Sequence, residues 1–248
     1  MRSKLTNILI ELKNHAPFTL FGAVTGISLM LIFWHLPGDT TYRLFYVFHP
    51  LHVTLSAIVT ASLFRLHEKT KGFLTVLVIG YFGSIGVATL SDSIIPYFGE
   101  SILGVAVPTE AQVHGGHQYS SHDANDSLIP RTQWQHYRPK AHVGFIEEWF
   151  VVSVAAFVGI GVAYLAPHTK LPHAGHILVS TWASAAHIMM NTHSSPTVVT
   201  IVGSFVVLFL AVWLPCCFSD IVFPMLFVGS GHAEQHVHHT CQKRALPH

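Results

Sequence analysis

The sequence predicts an all-α polytopic membrane protein. Its six transmembrane helices form two three-helix repeats of inverted topology, with the third and sixth helices interrupted near Pro96 and Pro224. Three observations lead to this reading. Half of the 248 residues are hydrophobic and only 10% are charged, whereas a soluble domain carries about 25% charge. Six apolar segments, at 17–36, 44–65, 72–98, 145–166, 174–192 and 198–228, are each long enough to cross a hydrocarbon core of about 30 Å. The block Ser-Asp-x-x-x-Pro closes two of these runs, at Ser91 to Pro96 and at Ser219 to Pro224.

The chain before the first span, Met1 to Asn14, places Leu5, Ile8, Leu9 and Leu12 at helical spacing. This suits either a short amphipathic helix on the membrane surface or the start of a long first helix. No small-residue cleavage site follows the first span, so it is expected to stay. The second span carries His49, His52, Ser56 and Thr60 in steps of three and four, on one helical face. The third ends in the Asp92 block and completes an N-terminal repeat over residues 1–98.

Residues 99–141 form a polar loop rich in histidine, including His114 and His117. An ordinary solvated linker explains it as well as a metal-collecting segment does. The C-terminal repeat covers 142–228. Its fourth span opens with His142, Glu147 and Glu148, and its fifth carries His176, Ser180, Ser184, His187 and Asn191 on one face. The sixth carries Cys216 and Cys217 before Asp220 and Pro224. The tail, 229–248, gathers His232, His236, His238, His239 and Cys241.

The repeat is an alignment of the two halves. A shift of 127 positions pairs His15 with His142, Phe18 with Phe145, His49 with His176 and Thr54 with Thr181. One more position pairs Asp92 with Asp220 and Pro96 with Pro224. Three spans per copy is an odd number, so the second copy runs the opposite way through the bilayer, as in many secondary transporters. Lys and Arg set the orientation. Arg2, Lys4, Lys13, Arg65, Lys69, Lys71, Lys170, Lys243 and Arg244 fall on one side, against Arg43, Arg131, Arg138 and Lys140 on the other. The nine-to-four bias places both termini in the cytoplasm, most simply across a plasma or bacterial inner membrane.

An acid inside an apolar run reads as functional. Proline four residues further on lacks the N–H that would bond the Asp carbonyl, so each Asp is expected to offer a carboxylate and a freed backbone oxygen. Histidine, at 20 of 248 residues, is the compositional anomaly. By topology His49, His52, Asp92, His142, His187 and one of Glu147 or Glu148 converge on the outer half of the membrane. His15, His176, Asp220 and a candidate cysteine, Cys216 or Cys217, gather on the inner half. Ser, Thr and His also glue membrane helices together, but four histidines on these two faces favour a lined pathway. Cys216 and Cys217 stand where the first copy has Ala88 and Thr89, which favours small packing residues over ligands.

Imidazole with carboxylate is the ligand set of a divalent transition metal: zinc, iron, manganese, nickel, cobalt or copper. The leading expectation is transmembrane transport of such an ion, with protons as a candidate coupling ion and a carrier favoured over an enzyme. A membrane redox or metalloenzyme subunit holding haem b or a di-metal centre on the same histidines is the alternative. A membrane metal sensor worked by the His-rich tail is the third reading. The expected partners are the metal ion and the lipid bilayer, with a second copy of the chain as a further candidate. A net charge of +1 argues against nucleic acid. No metalloprotease His-Glu-x-x-His helix, P-loop, nucleophile elbow or haem-attachment motif occurs.

Overall fold

A run of apolar residues in lipid can satisfy its backbone only as a helix or within a closed barrel, and this chain takes the helical solution. The computed structural model describes residues 2–36, 38–67, 72–103, 144–167, 170–191, 197–217 and 223, and no strand occurs among them. The helices are α1 (Arg2–Phe33), α2 (Gly38–His67), α3 (Phe73–Thr89), α4 (Ile95–Leu103), α5 (Gly144–Glu147), α6 (Trp149–Leu165), α7 (Lys170–Asn191) and α8 (Val198–Cys217). A π-helical turn, Leu90–Ile94, joins α3 to α4. The polar loop, the tail and the second Ser-Asp-x-x-x-Pro block, with Asp220 and Pro224, lie outside the described residues.

Among the described residues, four stretches are long and apolar enough to cross a membrane: His15–Phe33, Thr40–Leu66, Phe73–Leu103 and Val198–Cys216. Helix α6 is apolar but shorter, at 17 residues, and α7 has 22 residues with a polar stripe. The N-terminal segment is part of one continuous helix with α1, which takes Pro17 in its interior. The third apolar run extends past residue 98 to Leu103, so the expected domain boundary falls inside a helix.

Large apolar side chains face outward along this bundle, among them Phe21, Ile32, Leu74, Phe82, Ile102, Phe150 and Leu165. The interior holds the polar groups: His49, His52, Ser56, Asp92, Glu100, His176, Ser180, Ser184, His187 and Asn191 are all buried. An apolar exterior over a polar interior is the inverse of a water-soluble bundle and suits residence in lipid.

Helix α2 is central, packed against α3, α6 and α7. Helix α1 packs against α7 and α8. Close approach depends on small residues, as expected where helix association relies on packing. The position a Cβ would take on Gly159 of α6 is already filled by the backbone oxygen of Thr54 and lies 2.8 Å from Ala57 Cβ. On α1, a Cβ at Gly26 would stand 2.7 Å from Thr181 Cγ2. Each of these threonines also bonds a carbonyl one turn back, Thr54 to Pro50 at 3.0 Å and Thr181 to Ile177 at 2.8 Å. These bonds satisfy the hydroxyls inside the bundle.

The Asp92 segment differs from expectation in one respect. The α-helical register is interrupted before Pro96, but the helix does not break. Ile95 N–H bonds Leu90 C=O, five residues back. In that wider register the donor that Pro96 lacks would have bonded Ser91, one residue before Asp92. The Ser91 carbonyl instead lies 2.9 Å from Ser184 Oγ of α7, whose single proton it shares with the Ser180 carbonyl, also at 2.9 Å. The proline therefore frees an oxygen for a cross-helix bond.

Candidate metal centre

Steps of three and four on α2 point His49 and His52 at the same neighbour, and that neighbour is Asp92 in the π turn. His49 Nδ1 lies 2.9 Å and His52 Nδ1 2.7 Å from the same oxygen, Asp92 Oδ2. The other oxygen, Oδ1, accepts from Ser91 Oγ at 2.7 Å and Ser180 Oγ at 3.2 Å. Four groups thus converge on one buried carboxylate. All four can donate together only if Asp92 is ionised, which makes Nδ1 of both rings the N–H donor and, in the neutral rings, leaves Nε2 as the lone-pair nitrogen.

Asp92, expected from the sequence as a ligand, stands behind the two rings in this structure. Its acceptor positions are taken, and it orients two imidazoles. Metal-ligating histidines commonly hold their second nitrogen on a carboxylate in this way. The pattern recurs at His187, whose Nδ1 lies 2.9 Å from Glu100 Oε1, while Asn191 Nδ2 donates to Glu100 Oε2 at 2.8 Å. His187 thus belongs to a second polar station rather than to the Asp92 cluster. Phe45 lies between the two, its ring stacked on His49 at 5.3 Å and edge-on to His187 at 5.5 Å.

Beyond Asp92 the rings continue in the other direction. His52 stacks on His176 of α7 at 4.6 Å, with His173 6.3 Å further along and His15 of α1 4.7 Å from His173. The expected separation into outer and inner clusters does not hold for these residues, since His52 and His176 touch across the α2–α7 contact. Cys216 of α8 joins them: His52, His176 and Cys216 each offer a ligand atom, all within 4.8 Å of one another. Cys216 is buried, and its Sγ lies 3.9 Å from Ser180 Oγ.

The remaining expected site residues are placed less centrally. Glu147 is exposed and accepts a hydrogen bond from Tyr46, one turn before His49 on α2. Glu148 is half-buried at the start of α6. His142, Asp220, His114, His117, His232, His236, His238 and His239 lie outside the described residues, as does the side chain of Cys217. Two participants were not foreseen. Glu100 falls just outside the expected third span, because Gly99, Glu100 and Ser101 interrupt the apolar run before Ile102 and Leu103, whereas the helix continues to Leu103. His173 was missed although it sits three residues before His176, on the same face.

No protein-family model, curated protein or solved structure matches the chain.

Proposed function

We propose that this protein is a membrane carrier for a divalent transition-metal ion, which it binds between α2, α7 and the π turn. The carrying observation is the set of three buried imidazoles, His49, His52 and His187, each with Nδ1 on a buried carboxylate. For His49 and His52 that arrangement sets Nδ1 as the donor and presents Nε2 of the neutral ring as a ligand nitrogen, while His187 Nδ1 also faces Asn191 Nδ2 at 3.2 Å. Such groups are expensive inside an apolar bundle, which argues for a use beyond packing. The file of rings from His15 through His173, His176, His52 and His49 supplies successive positions for a cation. Exchange of protons for metal is the coupling that imidazole and carboxylate chemistry offers.

The carrier is proposed to have six spans in two inverted copies, with both termini cytoplasmic. The packing supports this reading. Helix α1 lies against α7 and α8 of the other half, as α6 lies against α2 and α3. The repeat-related residues Thr54 and Thr181 each face a glycine on the first helix of the opposite half, Gly159 and Gly26. Asp220 would then stand to the second copy as Asp92 stands to the first.

A haem between His52 and His176 receives less support, because these rings are stacked at 4.6 Å with 23° between their planes, which leaves no gap for a macrocycle there.

The test is uptake into proteoliposomes holding a metal-sensitive dye, with zinc, cobalt, nickel, manganese and iron(II) presented in turn. Uptake of at least one ion is expected, with loss of that uptake in His49→Ala and His52→Ala. Vesicles that take up none of these ions above protein-free controls would overturn the proposal.

A further inference from the structure

Where α2, α7 and α8 meet, a thiol joins two rings of the file. We infer that His52, His176 and Cys216 form one nitrogen–nitrogen–sulfur site selective for a thiophilic divalent cation of the zinc class. This inference rests on the carrier reading and names the class of ion at its centre.

Geometry carries the first part. The three ligand atoms lie within 4.8 Å of one another, and they come from three different helices. Zinc–nitrogen distances of about 2.0–2.1 Å and zinc–sulfur distances of about 2.3 Å place ligand atoms roughly 3–4 Å apart around a tetrahedral ion. Small side-chain adjustments therefore close the site. His52 enters already oriented, because Asp92 holds its Nδ1 at 2.7 Å. Three protein ligands leave a fourth position open, which a transported ion needs for entry and departure.

Charge and softness carry the second part. A bound thiolate and the Asp92 carboxylate behind His52 supply two negative charges, which a divalent ion neutralises in a buried site. A monovalent soft ion would leave one charge uncompensated. Among divalent ions, thiolate with imidazole favours zinc over manganese, magnesium or calcium, which prefer oxygen. On binding, the metal exchanges a bound water for the Cys216 sulfur, and the thiol proton leaves to bulk water as the sulfur–metal bond forms. No oxidant or reductant is required.

The test uses the purified full-length protein in detergent, with cobalt(II) as the spectroscopic probe. Wild type is expected to show the visible bands of tetrahedral cobalt together with a near-ultraviolet sulfur-to-cobalt charge-transfer band. Zinc should bleach both, while manganese at the same concentration should not. Cys216→Ser should remove the charge-transfer band, retain weaker visible bands and lower zinc affinity by at least about tenfold. Cys217→Ser and Cys241→Ser should leave the charge-transfer band intact.

A charge-transfer band that survives Cys216→Ser, or cobalt binding with no such band in wild type, would overturn the inference. Either result would leave the carrier reading standing if proteoliposomes still move metal. Conversely, a sulfur-bound cobalt spectrum with no transport of any ion would sink the carrier reading and keep the site. Cadmium titration of wild type and Cys216→Ser gives a second measure, since a folded variant with unchanged cadmium affinity also overturns the inference.

Discussion

Removing the Asp92 carboxylate should damage metal binding in a graded way. Asp92 accepts from two rings at 2.9 and 2.7 Å and from two hydroxyls at 2.7 and 3.2 Å. In Asp92→Ala the hydroxyls have other acceptors within reach: Ser91 Oγ lies 3.4 Å from Ala88 C=O, and Ser180 Oγ lies 3.4 Å from Ser91 Oγ. The rings lose their acceptor outright. Two buried donors without acceptors cost about 2–6 kcal/mol together. Moving the proton to Nε2 relocates the buried donor rather than satisfying it, because neither Nε2 has a hydrogen-bond partner, and it blocks the nitrogen a metal would use. Asp92→Asn behaves differently. Its amide oxygen can face both rings and keep their tautomer, while its NH2 faces the hydroxyls, which can rotate to accept. Charge is lost but orientation is kept, so zinc affinity should fall within about 10–100-fold. Asp92→Ala should fall further. Isothermal titration of zinc into both variants, with thermal melting as the check on folding, measures the series. Equal zinc affinity in wild type and a folded Asp92→Ala would refute the claim that this carboxylate sets the rings.

Three further outcomes follow from the packing. Gly159→Ala places a methyl on the Thr54 backbone oxygen, so α2 and α6 must separate. The variant should lose about 1–3 kcal/mol or more, read as a lower melting temperature in detergent. Ser184→Ala removes the donor to the Ser91 carbonyl at 2.9 Å. It should cost about 1–3 kcal/mol, and replacing Pro96 by Ala in the same chain should restore part of it by returning an N–H to the turn. Phe45→Ala empties the space between His49 and His187. It should cost about 3–5 kcal/mol in stability, and the proteoliposome dye assay should show a faster metal leak down a gradient.

Much of this site was legible because helical spacing is a strong signal when polar residues interrupt an apolar run. His49, His52 and Ser56 on one helix, and His176, Ser180, Ser184, His187 and Asn191 on another, were read as single faces, and all are buried. Spacing within a helix does not say which helices touch, so the meeting of His52 with His176 could not be read from either stripe. Cys216 looked like a packing residue for the same reason. Its neighbours in sequence are apolar, and only the approach of α8 sets it beside two imidazoles. The Asp92 carbonyl was misassigned because one extra residue in the turn moves the missing bond to Ser91. No residue pattern in that segment marks the change of register.

The span Phe73–Leu103 runs for 31 residues. At 1.5 Å per residue such a helix is about 46 Å long, against a hydrocarbon layer of about 30 Å. It must lean, bend or protrude, and the π turn two-thirds of the way along offers a place for the bend. Glu100 sits near its far end, so thinning the bilayer would draw that carboxylate toward the headgroups, while thickening it would pull it into oil. Acyl-chain length is thus a variable that acts on the Glu100–His187 pair without any change of residue.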